Sequence, residues 1–531
     1  MSNDISRPSQ AGGRPAQSTL IILLSFAAAF SSFHPYPFDG AVSRWALVRS
    51  VTEDGRVDIN RFSGFTSDKA LFDGCFYTDK AVLLSALCMP VQWLSLRAGI
   101  AREDEPATGS SDPGRLICER IVVTGSFLIL LLSLRRTCAL EGCDPRFALA
   151  AAGLAGIILP YSSILYAHVP AACCITAAYM FQKQGRLAVS DICGAAAAAF
   201  EYPVFLLFVI LLLYRGRRYL LGPRVLLTLA ITTAAFVPQM VHNQLAFGSP
   251  FTSGYAHEAA EAFESIESGF FGFTLPSPAR LLFILASAER GLFFYMPWAA
   301  AGMAGLLSRR YGGGVGRDPA GFMTIAFVVL FSALWTKTQG WAFGPRYLIP
   351  VVPLLAVGLS RFASAGPRQA FTAALLILPG FLQAFLGLFG EIHLPVHHFE
   401  RALPLPQINV SLAMLLDGHH SVWLAGSAGS ALLFLLSLGA CLLLFRRARP
   451  SPACLPVIAM MAAAALLSPR DWGGKTDYYR GVLAEYREEY GLAAEYYSRA
   501  AQDPTAPPVV AELAEEMRIL AAAGDSIPNS P

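Results

Sequence analysis

Residues 76–90 read FYTDKAVLLSALCMP, an aspartate and a lysine side by side at the lip of an apolar run. Whether the run 80–100 crosses a bilayer decides the topology of everything after it. The chain has 531 residues, 54% hydrophobic and 15% charged, with mean hydropathy +0.49. Its apolar residues come in blocks rather than at amphipathic spacing, the pattern of a polytopic membrane protein. Apolar segments stand at 18–33, 80–100, 117–134, 147–163, 167–182, 187–214, 219–241, 279–308, 320–334, 347–360, 370–390, 421–445 and 453–468. Cationic clusters between them mark the cytoplasmic side: Arg135, Arg136 and Arg146; Lys183 and Arg186; Arg215, Arg217 and Arg218; Arg309, Arg310 and Arg317; Arg361 and Arg368; Arg446, Arg447 and Arg449.

If 80–100 crosses, Arg135 and Arg136 fall outside and the error propagates along the chain. If it lies along or dips into the outer leaflet and returns, they fall inside. Arg186 and Arg215 then both need the cytoplasm, so 187–214 must be two short helices bent at Glu201-Tyr202-Pro203. With both choices every cluster lies inside and the spans number thirteen. The expected organisation is an all-α membrane protein with a cytoplasmic amino-terminal tail (1–17), a transmembrane domain (18–468) whose first outer segment is 34–116, and an outer helical tail (469–531). In that tail Gly481, Ala484, Tyr490, Ala494, Tyr497, Ala500 and Pro504 follow the pattern of one tetratricopeptide-like helical pair, with a third helix after it.

The net charge of +3 is spread over short clusters and no basic patch carries interleaved aromatics, which argues against a nucleic-acid partner. Most of the ten cysteines, Cys88, Cys118, Cys173, Cys174, Cys193 and Cys441 among them, fall inside apolar segments without metal-ligand spacing. Polar residues gather on the expected outer face, where ionisable groups at membrane depth are costly and usually functional. The first outer segment alone holds Asp39, Asp58, Asp68, Asp73 and Asp79. Val42, Trp45, Ala46, Val48 and Val51 after Asp39 read as an interfacial amphipathic helix. Asp68 and Asp79 recur as SDKA and TDKA, which suits Asx turns as well as it suits a binding role.

The order of a first span, an acidic residue just outside it, interfacial helices and an aromatic-x-Asp-Lys turn resembles the GT-C membrane glycosyltransferases, including the protein O-mannosyltransferases and aminoarabinose transferases. Six phrases carry the likeness in order: TSDKALFDGCFYTDKA, LPYSSILYAHVPAA, GAAAAAFEYPV, NQLAFGSPFTSGY, ERGLFFYMPW and GWAFGPRYLIPVVPLL. The resemblance implies a bacterial inner-membrane enzyme with its site facing the periplasm. It would transfer a sugar, with inversion, from a polyprenyl-phosphate donor to an acceptor hydroxyl on a glycan, lipid or protein. By family position Asp39 is the candidate base and Lys80 the residue that meets the lipid phosphate. Where the family has KAPG or KPPL this chain reads KAVL, without the prolines.

Arg290 and Arg346, at the outer lip, suit a phosphate. His168, Glu201 and Tyr161 are expected in the same pocket, with Asp68 and Asp79 as secondary members. The aspartates of the first segment could offer oxygens to a divalent cation, but no spacing fixes such a site. Two rival readings are a flippase of lipid-linked sugars and a non-catalytic scaffold. The chain has no half-to-half repeat of the kind many transporters carry.

Overall fold

The computed structural model describes residues 14–34, 39–102, 112–216, 219, 221–259, 272–287, 290–314, 316, 318–334, 342–390, 422–423, 426–447, 475–486, 489–504, 506 and 508–525. The segment 391–420, which the sequence places between two apolar segments on the expected outer face, the apolar segment 453–468 and most of the amino-terminal tail lie outside these residues. The described chain is mostly helical, with two short antiparallel pairs that the all-α expectation did not include: Ser32–Phe33 with Val422–Trp423, and Ala70–Phe72 with Cys75–Tyr77.

Among the described residues, five helices are long and apolar enough to cross a membrane: Pro113–Leu140, Arg224–Phe247, Arg346–Ser364, Pro367–Phe389 and Ala428–Arg446. Five shorter apolar helices accompany them, and one apolar core joins the set. The expected span 279–308 is broken into Pro278–Ala286, a turn through Leu292–Tyr295, and Trp298–Leu307. The last of these packs on Val352–Ser364 through glycines: a Cβ on Gly305 would stand 1.9 Å from the Gly358 carbonyl oxygen, and one on Gly302 2.4 Å from that of Leu355. Small residues let the two backbones touch, as between helices in lipid.

Two charged ends frame the core. At one, Glu141, Asp318, Lys183, Arg361 and Tyr179 form a buried network: Arg361 donates to both oxygens of Glu141 at 2.6 and 2.8 Å and pairs with Asp318, and Lys183 lies 3.0 Å from Glu141 and 3.1 Å from Asp318. These residues end the helices Pro113–Leu140, His168–Lys183 and Val352–Ser364 and begin Pro319–Phe331. The helix His168–Lys183 starts at the other end, roughly 24 Å away at 1.5 Å per residue.

The chain turns at Glu201. Leu187–Phe200 ends there and Phe205–Leu213 runs back beside it, so close that a Cβ on Gly194 would stand 2.2 Å from the Phe208 ring. Arg215 then reaches Asp191 and Ser190 near the start of the first arm. The helix Leu83–Arg97 runs antiparallel to the beginning of Pro113–Leu140: the Cys118 thiol lies 3.6 Å from the Cys88 carbonyl oxygen, and a Cβ on Gly114 would stand 2.0 Å from Gln92 Oε1. It therefore lies beside the end of the long helix remote from Glu141. The stretch read as interfacial, Asp39–Arg49, is instead enclosed: every residue from Gly40 to Arg49 is buried. It packs against Leu83–Arg97 and the turn Asn60–Phe65 and runs on into the winding Ser50–Asp54, and its cation Arg49 is held by both oxygens of Glu53.

The helices Lys475–Tyr486, Tyr490–Ala500 and Val509–Asp525 have an apolar cluster of their own, around Tyr478, Ala493, Tyr497, Leu513 and Met517. Gly481 lets the first two approach, since a Cβ there would stand 2.6 Å from the Tyr497 ring.

Candidate active site

The hairpin Ala70–Phe72/Cys75–Tyr77 turns on Asp73 and Gly74, both at positive φ, as a two-residue loop between right-twisted strands requires. Ala70 faces Tyr77, so the hairpin brings the two flanking phrases, SDK and TDK, side by side. Each is shaped by a threonine: the Asp68 amide donates to Thr66 Oγ1 at 3.1 Å, and the Lys80 amide to Thr78 Oγ1 at 3.3 Å. The aspartate carboxylates are thus left for other work. Lys80 Nζ lies 3.1 Å from Asp68 Oδ2, 2.5 Å from Asp79 Oδ2 and 5.8 Å from the centre of the Tyr255 ring. Lys69, the lysine of the first phrase, points elsewhere, to the Ser63 carbonyl at 2.5 Å. Burial works against the charge of Lys80, but Asp68 and then Asp79 outweigh it and raise its pKa well above the ordinary value.

Asp39 opens the enclosed helix beside this turn. Its carboxylate accepts from the Ser67 hydroxyl at 2.8 Å and the Ser67 amide at 3.2 Å, and its carbonyl accepts from Thr66 at 3.0 Å. Burial first, and the Asp68 charge second, raise the Asp39 pKa. Gly40 fills the gap between the carboxylates and the next wall: a Cβ there would stand 3.0 Å from Asp68 Oδ2 and 3.1 Å from Tyr166.

That wall is aromatic. The Tyr166 and His168 rings stack with centroids 5.6 Å apart, and Tyr347 meets His168 edge-on at 5.7 Å. Arg346 lies over the Tyr166 and Tyr347 rings at 5.4 and 5.0 Å and donates to both phenol oxygens at 3.2 Å. Its buried Nε has no hydrogen-bond partner, and among the described residues Arg346 has no ion-paired carboxylate. Glu201, at the bend of the helical hairpin, lies 3.1 Å from His168 Nδ1 and 3.8 Å from Arg44.

The sequence-predicted residues Asp39, Asp68, Asp79, Lys80, His168, Glu201 and Arg346 therefore form one continuous cluster. Tyr161 borders it as a brace, its hydroxyl donating to the Phe343 carbonyl at 2.8 Å. Arg290 is 2% exposed and, like Arg346, acts electrostatically on Tyr161. Asp58 pairs with Arg56 at 2.7 Å on the surface, and Asp73 belongs to the hairpin turn, so neither joins. Sequence reasoning missed three members. Arg44 looked like one of several cations in a surface helix. Tyr255 and Glu258 belong to the segment 249–259, whose phrase NQLAFGSPFTSGY pointed there and stops three residues short of Glu258. Among the described residues no group of three or more His, Cys, Asp or Glu side chains is placed to hold a metal ion.

No family model matches the chain, and no curated protein matches it. Two solved structures resemble it. Crystal structures of ArnT from Cupriavidus metallidurans, one bound to undecaprenyl phosphate and one in the apo state, align with 94% and 92% of this chain and 82% and 79% of theirs. The identities are 17% and 16%, with TM-scores of 0.44 and 0.45.

Proposed function

We propose that the protein is an integral-membrane glycosyltransferase that moves a sugar from a polyprenyl-phosphate donor to an acceptor hydroxyl at the outer face of a bacterial inner membrane. The observation that carries this reading is Arg346, a cation at the heart of the cluster whose hydrogen bonds go to neutral phenols. Glu201 acts on this cation only from a distance; a buried charge with no carboxylate in ion-pair contact is costly, and an anionic ligand would lower that cost. A phosphate lying between Arg346 and Lys80 would supply the charge. Beside it, Asp39 is an acid whose raised pKa makes it a stronger base than an ordinary aspartate.

In the proposed reaction the acceptor oxygen attacks the anomeric carbon from the face opposite the phosphate. The bond from that carbon to the phosphate oxygen breaks, its electron pair leaves with the phosphate, and the acceptor proton passes to Asp39. Lys80 and Arg346 meet the charge that develops on the leaving group. Ser67 holds the Asp39 carboxylate in one orientation throughout.

An apolar groove of about 690 Å³ supports a lipid-linked donor. Leu83, Leu87 and Phe200 line its end next to Lys80 and Glu201, and Arg136 lines the other, ten residues along the long helix from Ser126. That run is about 15 Å, and its small lining residues Cys174, Ala177 and Ala196 leave room for a branched chain. The test is to incubate the purified protein with a panel of radiolabelled polyprenyl-phosphate sugars and measure loss of lipid-linked label. Loss that depends on an added acceptor supports transfer. Label that stays on the lipid across the panel, while the lipid itself changes leaflet in vesicles, would instead support a flippase.

A further inference from the structure

The segment after the helix Arg224–Phe247 is pinned directly on the Lys80 turn. Gly254 sits on the backbone of Asp79, where a Cβ would stand 2.8 Å from the Asp79 Cα, and Tyr255 lies under the Lys80 ammonium. Glu258 forms a β-bridge with Ala70, and the Ala259 amide donates to the Lys69 carbonyl at 3.0 Å. This docking brings the Glu258 carboxyl into hydrogen-bonding and electrostatic contact with the Asp79 carboxyl. Asp79 is 3% exposed, and its Oδ1 is buried without a hydrogen-bond donor; Oε1 of Glu258 is buried in the same condition. Two carboxylates cannot satisfy each other. One proton between them turns one oxygen into a donor and satisfies both.

We infer that Asp79 and Glu258 share one proton at the Lys80 turn, and that this proton sets how tightly Lys80 can hold a phosphate. With the proton in place, Lys80 faces the net charge of Asp68 and one further carboxylate. Without it, a third negative charge stands where the phosphate must enter. Glu258 is thus a positioning residue that acts through Asp79 and Lys80. The inference rests on the proposed role of Lys80 as a phosphate ligand.

The pair titrates on the mildly alkaline side of neutral. Burial and the Asp79 charge push the Glu258 carboxyl up to about 9. Burial also raises Asp79, against the pull of Lys80. Of the groups facing the pair, Lys80 and Tyr255 are both raised above their ordinary values and stay protonated. Asp68 lies on the hairpin side, Arg44 on the enclosed helix, and Glu201 with Tyr202 at the bend. The second ionisation of a phosphate monoester, near pH 6, is complete before the pair titrates.

The experiment uses the full chain in lipid nanodiscs and a sugar-free polyprenyl phosphate as the probe, with affinity measured from pH 7 to 10. Wild-type affinity should fall as the pair loses its proton, by up to about tenfold per pH unit for a single linked proton. Glu258→Gln keeps a hydrogen-bond donor to Asp79 without a titrating group, so its affinity should stay high and flat over the same range. Infrared spectra at pH 7.5 should show a protonated-carboxyl band in the wild type that Glu258→Gln removes. Absence of that band, or a glutamine variant that keeps the wild-type slope, overturns the inference. A band present in a protein that binds the probe at no pH would instead remove Lys80 from the role of phosphate ligand, and the coupling with it.

Discussion

Replacing Asp39 by asparagine separates chemistry from binding. The side chain receives two hydrogen bonds from Ser67, one from the amide and one from the hydroxyl. Asparagine keeps an oxygen for the amide, and its NH2 group can donate to the hydroxyl, which turns to accept. The rearrangement costs about 1 kcal/mol or less, so the variant should fold. Lys80 is held by Asp68 and Asp79 rather than by Asp39, so donor binding should hold or tighten slightly as a nearby negative charge is lost. Turnover should fall by roughly 10²- to 10⁴-fold, the usual contribution of a positioned base. The pH profile adds a second reading. The base works ionised, and burial followed by the Asp68 charge raises its pKa, so wild-type turnover should be lost as pH falls through a midpoint above the ordinary aspartate range. Asp68→Asn removes one of those causes and should move that midpoint down. The assay is transfer of labelled sugar from a polyprenyl-phosphate donor, with donor binding measured in parallel. An asparagine variant that binds donor and transfers sugar at the wild-type rate would show that Asp39 is not the base, and Glu201 would be tested next.

Lys80→Ala and Arg346→Ala should do the reverse, weakening donor binding in direct titration whether or not acceptor is present, because both are proposed to hold the phosphate. Arg361→Ala removes a buried cation from Glu141 and Asp318 and leaves Lys183 as their remaining cation, with the Tyr179 hydroxyl still bonded to both, so denaturation in detergent should show a loss of about 3 kcal/mol, the low end for breaking a buried pair. On a cysteine-free background Trp93→Cys, at a position 48% exposed on the helix beside the turn, should react with an impermeant thiol reagent from outside, and Arg309→Cys only after permeabilisation. Labelling of position 93 from the cytoplasm would make 80–100 a crossing segment. Gln239→Leu should cost about 1–3 kcal/mol by orphaning the Val82 amide, which donates to Gln239 Oε1 at 2.9 Å. Val82→Pro in the same background should recover stability, since proline has no N–H to orphan and Val82 already has φ −84°.

That last pair explains how the KAVL turn works without the prolines of the family phrase. At this helix start proline would remove an N–H, and here Gln239, 157 residues on, accepts it instead. Nothing local in the sequence announces such a partner. Other features were legible because charge and sequence distance suffice to read them. The cationic clusters required the bend at Glu201, and the helices Leu187–Phe200 and Phe205–Leu213 do turn back on each other there. The duplicated DKA phrases flagged both Asp68 and Asp79, but the Asp-Gly pair between them is what brings them together, and it went unread as a hairpin signal. The enclosed helix was misread because Arg44, Arg49 and Glu53 look solvated in sequence, whereas in the fold each cation finds a partner inside.

The breaks in the apolar helices fall at the site end, and this follows from what a membrane tolerates. Backbone without helical hydrogen bonds is costly in a bilayer unless protein groups satisfy it. Here single side chains do so at four places. Beyond the helix Pro145–Gly153, the Ala155 carbonyl accepts from the Trp298 indole at 2.7 Å. Beyond Pro278–Ala286, the Phe294 carbonyl accepts from Gln383 at 2.6 Å. Before Arg346, the Phe343 carbonyl accepts from Tyr161. After Tyr161, the Ser162 carbonyl accepts from Thr124 at 2.8 Å. It is this irregular chain, with its carbonyls satisfied, that carries His168 and Arg346 to the same place as Asp39 and Lys80. Continuous helices would have carried those side chains on past the level where the two sets meet.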